Sequence, residues 1–123
     1  MKEFRVLTTL PVTDFARARA FYKDKLGLTP TEPEGDYFEC GGGTAFIISS
    51  MGTKPAGHTQ MSFEVGDVTA VVKRLKSKGV VFEEYDYPTL KTVDSIATRP
   101  DFRAAWFKDS EGNMIGLGQR LKA

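Results

Sequence analysis

His58, Gln60, Ser62 and Glu64 recur at every second position of the run HTQMSFE. That spacing places alternate side chains on one face of a β-strand. The four offer groups suited to acid–base chemistry. An imidazole exchanges a proton near neutral pH, and a desolvated carboxylate is raised toward neutrality. His58 and Glu64 are therefore the candidate catalytic residues, with Gln60 and Ser62 as orienting hydrogen-bond partners. His58 is the single histidine of the chain and stands where the strand begins, so a solvated loop histidine is the plainer reading. Glu64, at the far end, reads equally as a solvated carboxylate.

A second set lies near the C-terminal end. If the final hairpin turns around Glu111, Trp106 falls beside Gly116 on the neighbouring strand, and an aromatic ring next to a glycine leaves a floor and a gap for a flat ligand. Trp106 as core filler is an equal alternative, since register is not fixed by sequence. Arg103 offers a bidentate contact to an anion, although a solvated edge charge is the plainer reading. Tyr37, Tyr85 and Tyr87 are candidates to line the mouth of a site. Cys40 stands before three glycines with no flanking His or Lys to activate its thiol, and reads as a small half-buried residue.

Two helices must position these groups. Residues 12–28 read VTDFARARAFYKDKLGL. Asp14 is an N-cap, Phe15, Ala18, Tyr22 and Leu26 form an apolar stripe, and Gly27 stops the helix. The plan returns at residues 65–80, VGDVTAVVKRLKSKGV, with Asp67 as cap, Val68, Val71, Val72 and Leu75 as stripe, and Gly79 as stop. Such an echo marks a duplicated module. Strands are expected at residues 4–12, 28–33, 36–40, 44–50, 59–65, 81–85, 102–108 and 113–119, with residues 88–101 as an irregular loop of the kind that forms lids. The order is βαβββ–βαβββ: an α+β chain of two tandem modules, residues 1–50 and 58–123, joined by a link at 51–57 within one domain.

The chain has 123 residues and a formal net charge of +1. Its 41% hydrophobic and 27% charged residues are those of an ordinary globular domain. No basic run points to nucleic acid, no apolar run reaches the length of a membrane span, and one cysteine excludes an internal disulfide. The N-terminal stretch is too short and polar for a signal peptide, so a cytoplasmic protein is expected.

Three motifs carry a family likeness: LPVTDFARARAFYKDKLGL (residues 10–28), QMSFEVGDV (60–68) and WFKDSEGNMIGL (106–117). In this order and spacing they resemble the glyoxalase/bleomycin-resistance/extradiol-dioxygenase superfamily, the vicinal oxygen chelate proteins. The resemblance implies an open, cup-like curved sheet built from the two modules, a homodimer, and in metal-using members a divalent ion held by four side chains. Here the ligand positions fall at Leu7, at Ile47 or Ile48, at Gln60 and at Gly116. Leu and Ile carry no lone pair and Gly carries no side chain, so no metal or other cofactor is expected. If that topology holds, Thr9 joins Gln60, Ser62 and Glu64 on the inner face.

The expectation is thus a metal-independent binding protein that holds a small organic ligand, as bleomycin-resistance proteins do. Leu7, Thr9, Ile48, Gln60, Ser62, Arg103, Trp106 and Gly116 would line its site. The alternative is an enzyme of the lyase, isomerase or dioxygenase kind, using a non-standard metal set or acid–base chemistry at His58 or Glu64.

Overall fold

The computed structural model describes residues 1–32, 35–50 and 54–121. It divides into two compact units, residues 1–55 with 109–113, and residues 56–108 with 114–123.

In the first unit, strand β1 (Thr8–Pro11) leads into helix α1 (Phe15–Ala20), which continues as a wider π-helical turn over Phe21–Lys25. Strands β2 (Tyr37–Glu39) and β3 (Ala45–Ser49) follow, and the sheet order is β1-β3-β2 with β1 parallel to β3. Asp14 caps α1 as expected, its Oδ1 accepting from the Arg17 N–H at 3.0 Å, and Gly27 takes the left-handed φ of 72° beyond the helical residues. The helix face expected to be apolar closes the core. Tyr22 and Ala18 are fully buried with Leu10, Phe38, Phe46 and Ile48. The Tyr22 ring lies 5.0 Å from Phe46 and 5.7 Å from Phe38, and Phe38 stacks on Phe46 at 5.1 Å. Each such aromatic pair adds about 0.5–1.5 kcal/mol beyond the area it buries. The Tyr22 hydroxyl donates to Asp109 Oδ2 at 2.6 Å, and Asn113 Nδ2 donates to the same oxygen and to the Pro11 carbonyl, both at 2.9 Å. Burial and the neighbouring Asp109 carboxylate push the Tyr22 phenol far up.

The second unit repeats this wiring. Strand β4 (Thr59–Glu64) leads into α2 (Val68–Ser77), whose cap Asp67 accepts from the Ala70 N–H at 3.1 Å. Then come the short β5 (Asp86–Tyr87), β6 (Leu90–Lys91) and β7 (Ala97–Thr98), and the long hairpin of β8 (Phe102–Lys108) and β9 (Met114–Arg120). The four-stranded order is β4-β9-β8-β7, with β4 parallel to β9. In both units the first strand pairs in parallel with the last, which pairs antiparallel with the one before it. The duplication read from the helices is therefore present in the sheets. Val68, Val72 and Leu75 are buried where α2 packs on β8 and β9.

Several expected strands are shorter or absent. Residues 4–7 precede β1 and are exposed. The strand expected at 28–33 is a single bridge, Pro30 to Phe38, because proline donates nothing to a ladder; Pro33 lies outside the described residues. Residues 81–85 likewise make one bridge, Phe82 to Phe107. The supposed loop at 88–101 is organised: β5 and β6 form a hairpin, Val93 and Ile96 close a tight turn, and β7 joins the sheet. Of the link at 51–57, residues 51–53 lie outside the described residues.

Candidate functional site

The β8–β9 register decides which residues share the open face of the second unit. Trp106 pairs with Gly116, Ala104 with Gly118 and Phe102 with Arg120. On the other face, Gln119 Oε1 accepts from the Val68 N–H at the start of α2 at 2.9 Å. Alternation therefore turns Ile115, Leu117, Ala105 and Phe107, all buried, toward the helix. Trp106, Phe102 and Arg120 are left on the open side with the small residues Gly116, Gly118 and Ala104.

Strand β4 completes this face. Ser62 pairs with Gly116 and Glu64 with Gly118, and both side chains are exposed. A Cβ on Gly116 would come within 2.5 Å of Ser62 Oγ and 3.4 Å of Thr59 Cγ2. Trp106 is half-buried, and Tyr85 stands edge-on to it at 5.6 Å with their planes at 77°. Tyr87 lies 6.1 Å beyond Tyr85. Burial, with Glu83 and Tyr87 adding to it, raises the Tyr85 phenol, which stays protonated at neutral pH. At the Glu64 end the surface opens into a cavity of about 590 Å³ lined by Ser62, Glu64, Asp101, Phe102, Gly118 and Arg120 among others. A surface of aromatic rings over small residues, with carboxylates and a guanidinium at one end, suits a flat molecule that carries polar substituents.

The structure brings Ser62, Glu64, Trp106 and Gly116 to one face, and Trp106 falls beside Gly116 as the hairpin reading expects. Other candidates differ in place. Gln60 does not alternate with Ser62: a bulge between Thr59 and Met61 interrupts the register, so Thr59 takes its place beside Gly116. Gln60 Oε1 is buried, with no hydrogen-bond partner among the described residues. Arg103 pairs with Gln119 and so faces α2, and Arg120 is the arginine on the open side. His58 precedes β4, exposed, with Nδ1 2.9 Å from the Thr59 carbonyl oxygen. In the first unit, Ile48 is fully buried in the core with Leu10, its partner across the ladder. Its neighbour Ile47 turns the other way, with Thr9 and Tyr37 as partners. Leu7 lies before β1 and is 36% exposed. Cys40 is half-buried, and burial raises its thiol, which disfavours the nucleophilic thiolate.

Sequence reasoning missed Phe102 and Arg120, which the same hairpin register carried to the strand ends would have supplied. It also missed Glu111. That side chain is 1% exposed and accepts from the N–H groups of Thr13 and Asp14, both at 2.9 Å, and from Arg17 Nε at 2.7 Å. No local pattern announces partners so distant in sequence.

A model of the glyoxalase/bleomycin resistance protein/dioxygenase superfamily matches residues 6–117. The chain belongs to this superfamily. Solved structures of the superfamily fold agree. The antibiotic-binding protein TnmS3 of Streptomyces sp. CB03234 is 24% identical, with a TM-score of 0.69 over 96% of each chain. A glyoxalase/bleomycin resistance protein from the same organism is 25% identical, with a TM-score of 0.66 over 94% of this chain and 100% of its own. A superfamily member from Sphaerobacter thermophilus DSM 20745 is 25% identical, with a TM-score of 0.69 over 94% and 96%. A comparison with curated proteins returned no match. The fold is α+β with open sheets. Among the described residues no helix is long and apolar enough to cross a membrane.

Superfamily membership raises the question of a divalent ion, and the residues present do not fit one. Leu7, Ile47 and Ile48 are hydrocarbon, and of the four positions Gln60 alone carries a donor atom, a single amide oxygen. At Gly116 the space a ligand side chain would need is taken by Ser62 and Thr59. Among the described residues no group of three or more His, Cys, Asp or Glu side chains is placed to hold a metal.

Proposed function

We propose that the chain is a metal-independent binding protein that holds a flat organic molecule against the open face of the second unit. The observation that carries this reading is Trp106, half-buried, opposite Gly116 in the ladder and edge-on to Tyr85. A tryptophan used only as filler would face α2, where Ile115, Leu117 and Phe107 are buried. The likeness in fold to an antibiotic-binding protein supports the same reading. Glu64, Asp101 and Arg120 supply the polar end of the site, and the protein works by capture, without a chemical step at His58 or Glu64. Exposed Phe4 and Val6, 62% and 91% accessible, favour pairing of two copies.

Trp106 is the sole tryptophan, so its fluorescence reports on this face directly. Titration with flat fused-ring aromatics should quench it saturably. Affinity should survive His58→Ala and added chelator, and should fall in Trp106→Leu when followed by calorimetry. Absence of saturable binding across a broad panel of such compounds, or binding that a chelator abolishes, would overturn the proposal.

A further inference from the structure

The half of the aromatic pair that does not lie in the sheet is Tyr85, and something must hold it still. A ring on a loop loses side-chain and backbone freedom when a ligand fixes it, which costs affinity. A site prepared in advance avoids that cost.

The stretch after Tyr85 contains a compact polar cluster that the proposed function does not use. Glu84 Oε1 accepts from the Thr92 hydroxyl at 2.6 Å and from the Ser95 N–H at 3.1 Å, and Oε2 accepts from the Ser95 hydroxyl at 3.0 Å. Thr92 in turn holds Tyr85 from both sides. The Tyr85 N–H donates to Thr92 Oγ1 at 2.8 Å, and the Thr92 N–H donates to the Tyr85 carbonyl at 2.9 Å. Ser95 is 1% exposed and Thr92 9%.

This cluster holds a backbone that would otherwise resist its shape. Asp94 and Ser95 have φ of 51° and 73°, left-handed values at two successive residues that are not glycine. Reciprocal bonds between Val93 and Ile96, at 2.9 and 3.1 Å, close the turn around them. Such a two-residue turn favours Asn or Asp followed by Gly, so Asp94 suits its place, while Ser95 stands where glycine is usual and takes its left-handed backbone at a steric cost. Two bonds from Ser95 to one carboxylate offset that cost. Hydrogen bonds from Thr92 and Ser95 also hold the Glu84 carboxyl below its ordinary range, so the accepting form persists at neutral pH.

We infer that Glu84 is a positioning residue for ligand capture: through Thr92 and the Asp94–Ser95 turn it fixes the backbone of Tyr85 and so sets the ring against Trp106. The inference rests on the reading of that face as a binding surface. Glu84 itself does not touch the ligand.

Near-ultraviolet circular dichroism of Trp106, which senses the Tyr85 ring, tests the geometry without any ligand. Acridine serves as the probe for affinity. Glu84→Ala and Thr92→Val should each reduce the tryptophan dichroism toward that of Tyr85→Leu and weaken acridine binding by about tenfold, the scale of one lost edge-on aromatic contact. Thr92→Ser, which keeps the hydroxyl, should restore both, and Glu84→Gln should recover part of them. In the Tyr85→Leu background, Glu84→Ala should change neither, because its effect passes through Tyr85. Far-ultraviolet spectra and urea midpoints check that each variant folds; if Glu84→Ala does not, the Thr92 pair decides. Wild-type dichroism and affinity in folded Glu84→Ala or Thr92→Val would overturn the inference. If wild-type protein fails to bind acridine, the capture reading loses support, while the dichroism still decides whether Glu84 positions Tyr85.

Discussion

Gly116 shows how one residue bears on a chemical question. The family resemblance places a ligand side chain at its position, yet here two neighbours from β4 occupy that space. A methyl group at Gly116 would meet Ser62 Oγ at 2.5 Å, so Ser62 must rotate or the strands must separate. Gly116→Ala should therefore cost about 1–3 kcal/mol, the usual range for overpacking. In a Ser62→Ala background the contacts left are with Thr59 Cγ2 at 3.4 Å and the residue-62 Cβ at 3.5 Å, both at ordinary van der Waals distance, and the same substitution should cost less than about 1 kcal/mol. Urea unfolding of the four proteins measures the coupling, and additive costs would show that Ser62 is not the obstacle. The Trp106–Gly116 pairing was legible only as the consequence of a turn placed around Glu111, since the sequence left the register open and the ladder decides it. The place of Gln60 was not, because a bulge is a single unpaired residue that leaves the alternation of the sequence intact while shifting which residue faces the neighbouring strand.

At the scale of elements, the helices were legible because their ends and apolar stripes are local. Asp14, Asp67, Gly27 and Gly79 punctuate the chain where the helices begin and end. Strands of two residues carry no period, so β5, β6 and β7 were invisible within residues 86–98. Also illegible was the partner of the first helix. Glu111 sits at the entry to α1, where it accepts two backbone N–H groups, the Thr13 hydroxyl and Arg17. Burial alone would raise its carboxyl, but these donors, Arg17 foremost, hold it well below the usual carboxylate range. Its pKa is thus lower in the folded than in the unfolded chain, where it is about 4.3. The stability it contributes is present in full above that value and is lost as pH falls toward the folded value. Glu111→Gln should cost about 2–3 kcal/mol near neutral pH, the loss of charge-assisted bonds to a covered carboxylate. Urea midpoints of the two proteins should converge as the pH is lowered below about 4. A difference that stays constant with pH would show that Glu111 acts through shape alone.

For the whole molecule, two units with the same strand wiring have diverged in what they complete. The first reduces its outermost strand to the Pro30 bridge, and the second builds β7 there. The helical echo made the duplication legible, but it could not show this asymmetry, which follows from one imino acid without a donor. Divergence of this kind also bears on metal. Leu7, Ile48 and Gly116 lack donor atoms, and Glu64, Asp101 and Arg120 gather on the face of the second unit without a histidine among them. A folded protein that bound zinc or nickel with micromolar affinity would gain about 4 kcal/mol at millimolar ion, from the thousandfold excess over its dissociation constant. For a chain of this size that gain corresponds to a rise in Tm of roughly 10–20 °C, well within the reach of calorimetry. We expect less than about one degree of change on adding either ion or on adding chelator, with wild-type quenching of Trp106 by acridine unaltered in both cases. A rise of several degrees with one ion, reversed by chelator, would mean that donors other than these positions assemble a centre, and the capture reading would then give way to a metal-dependent one.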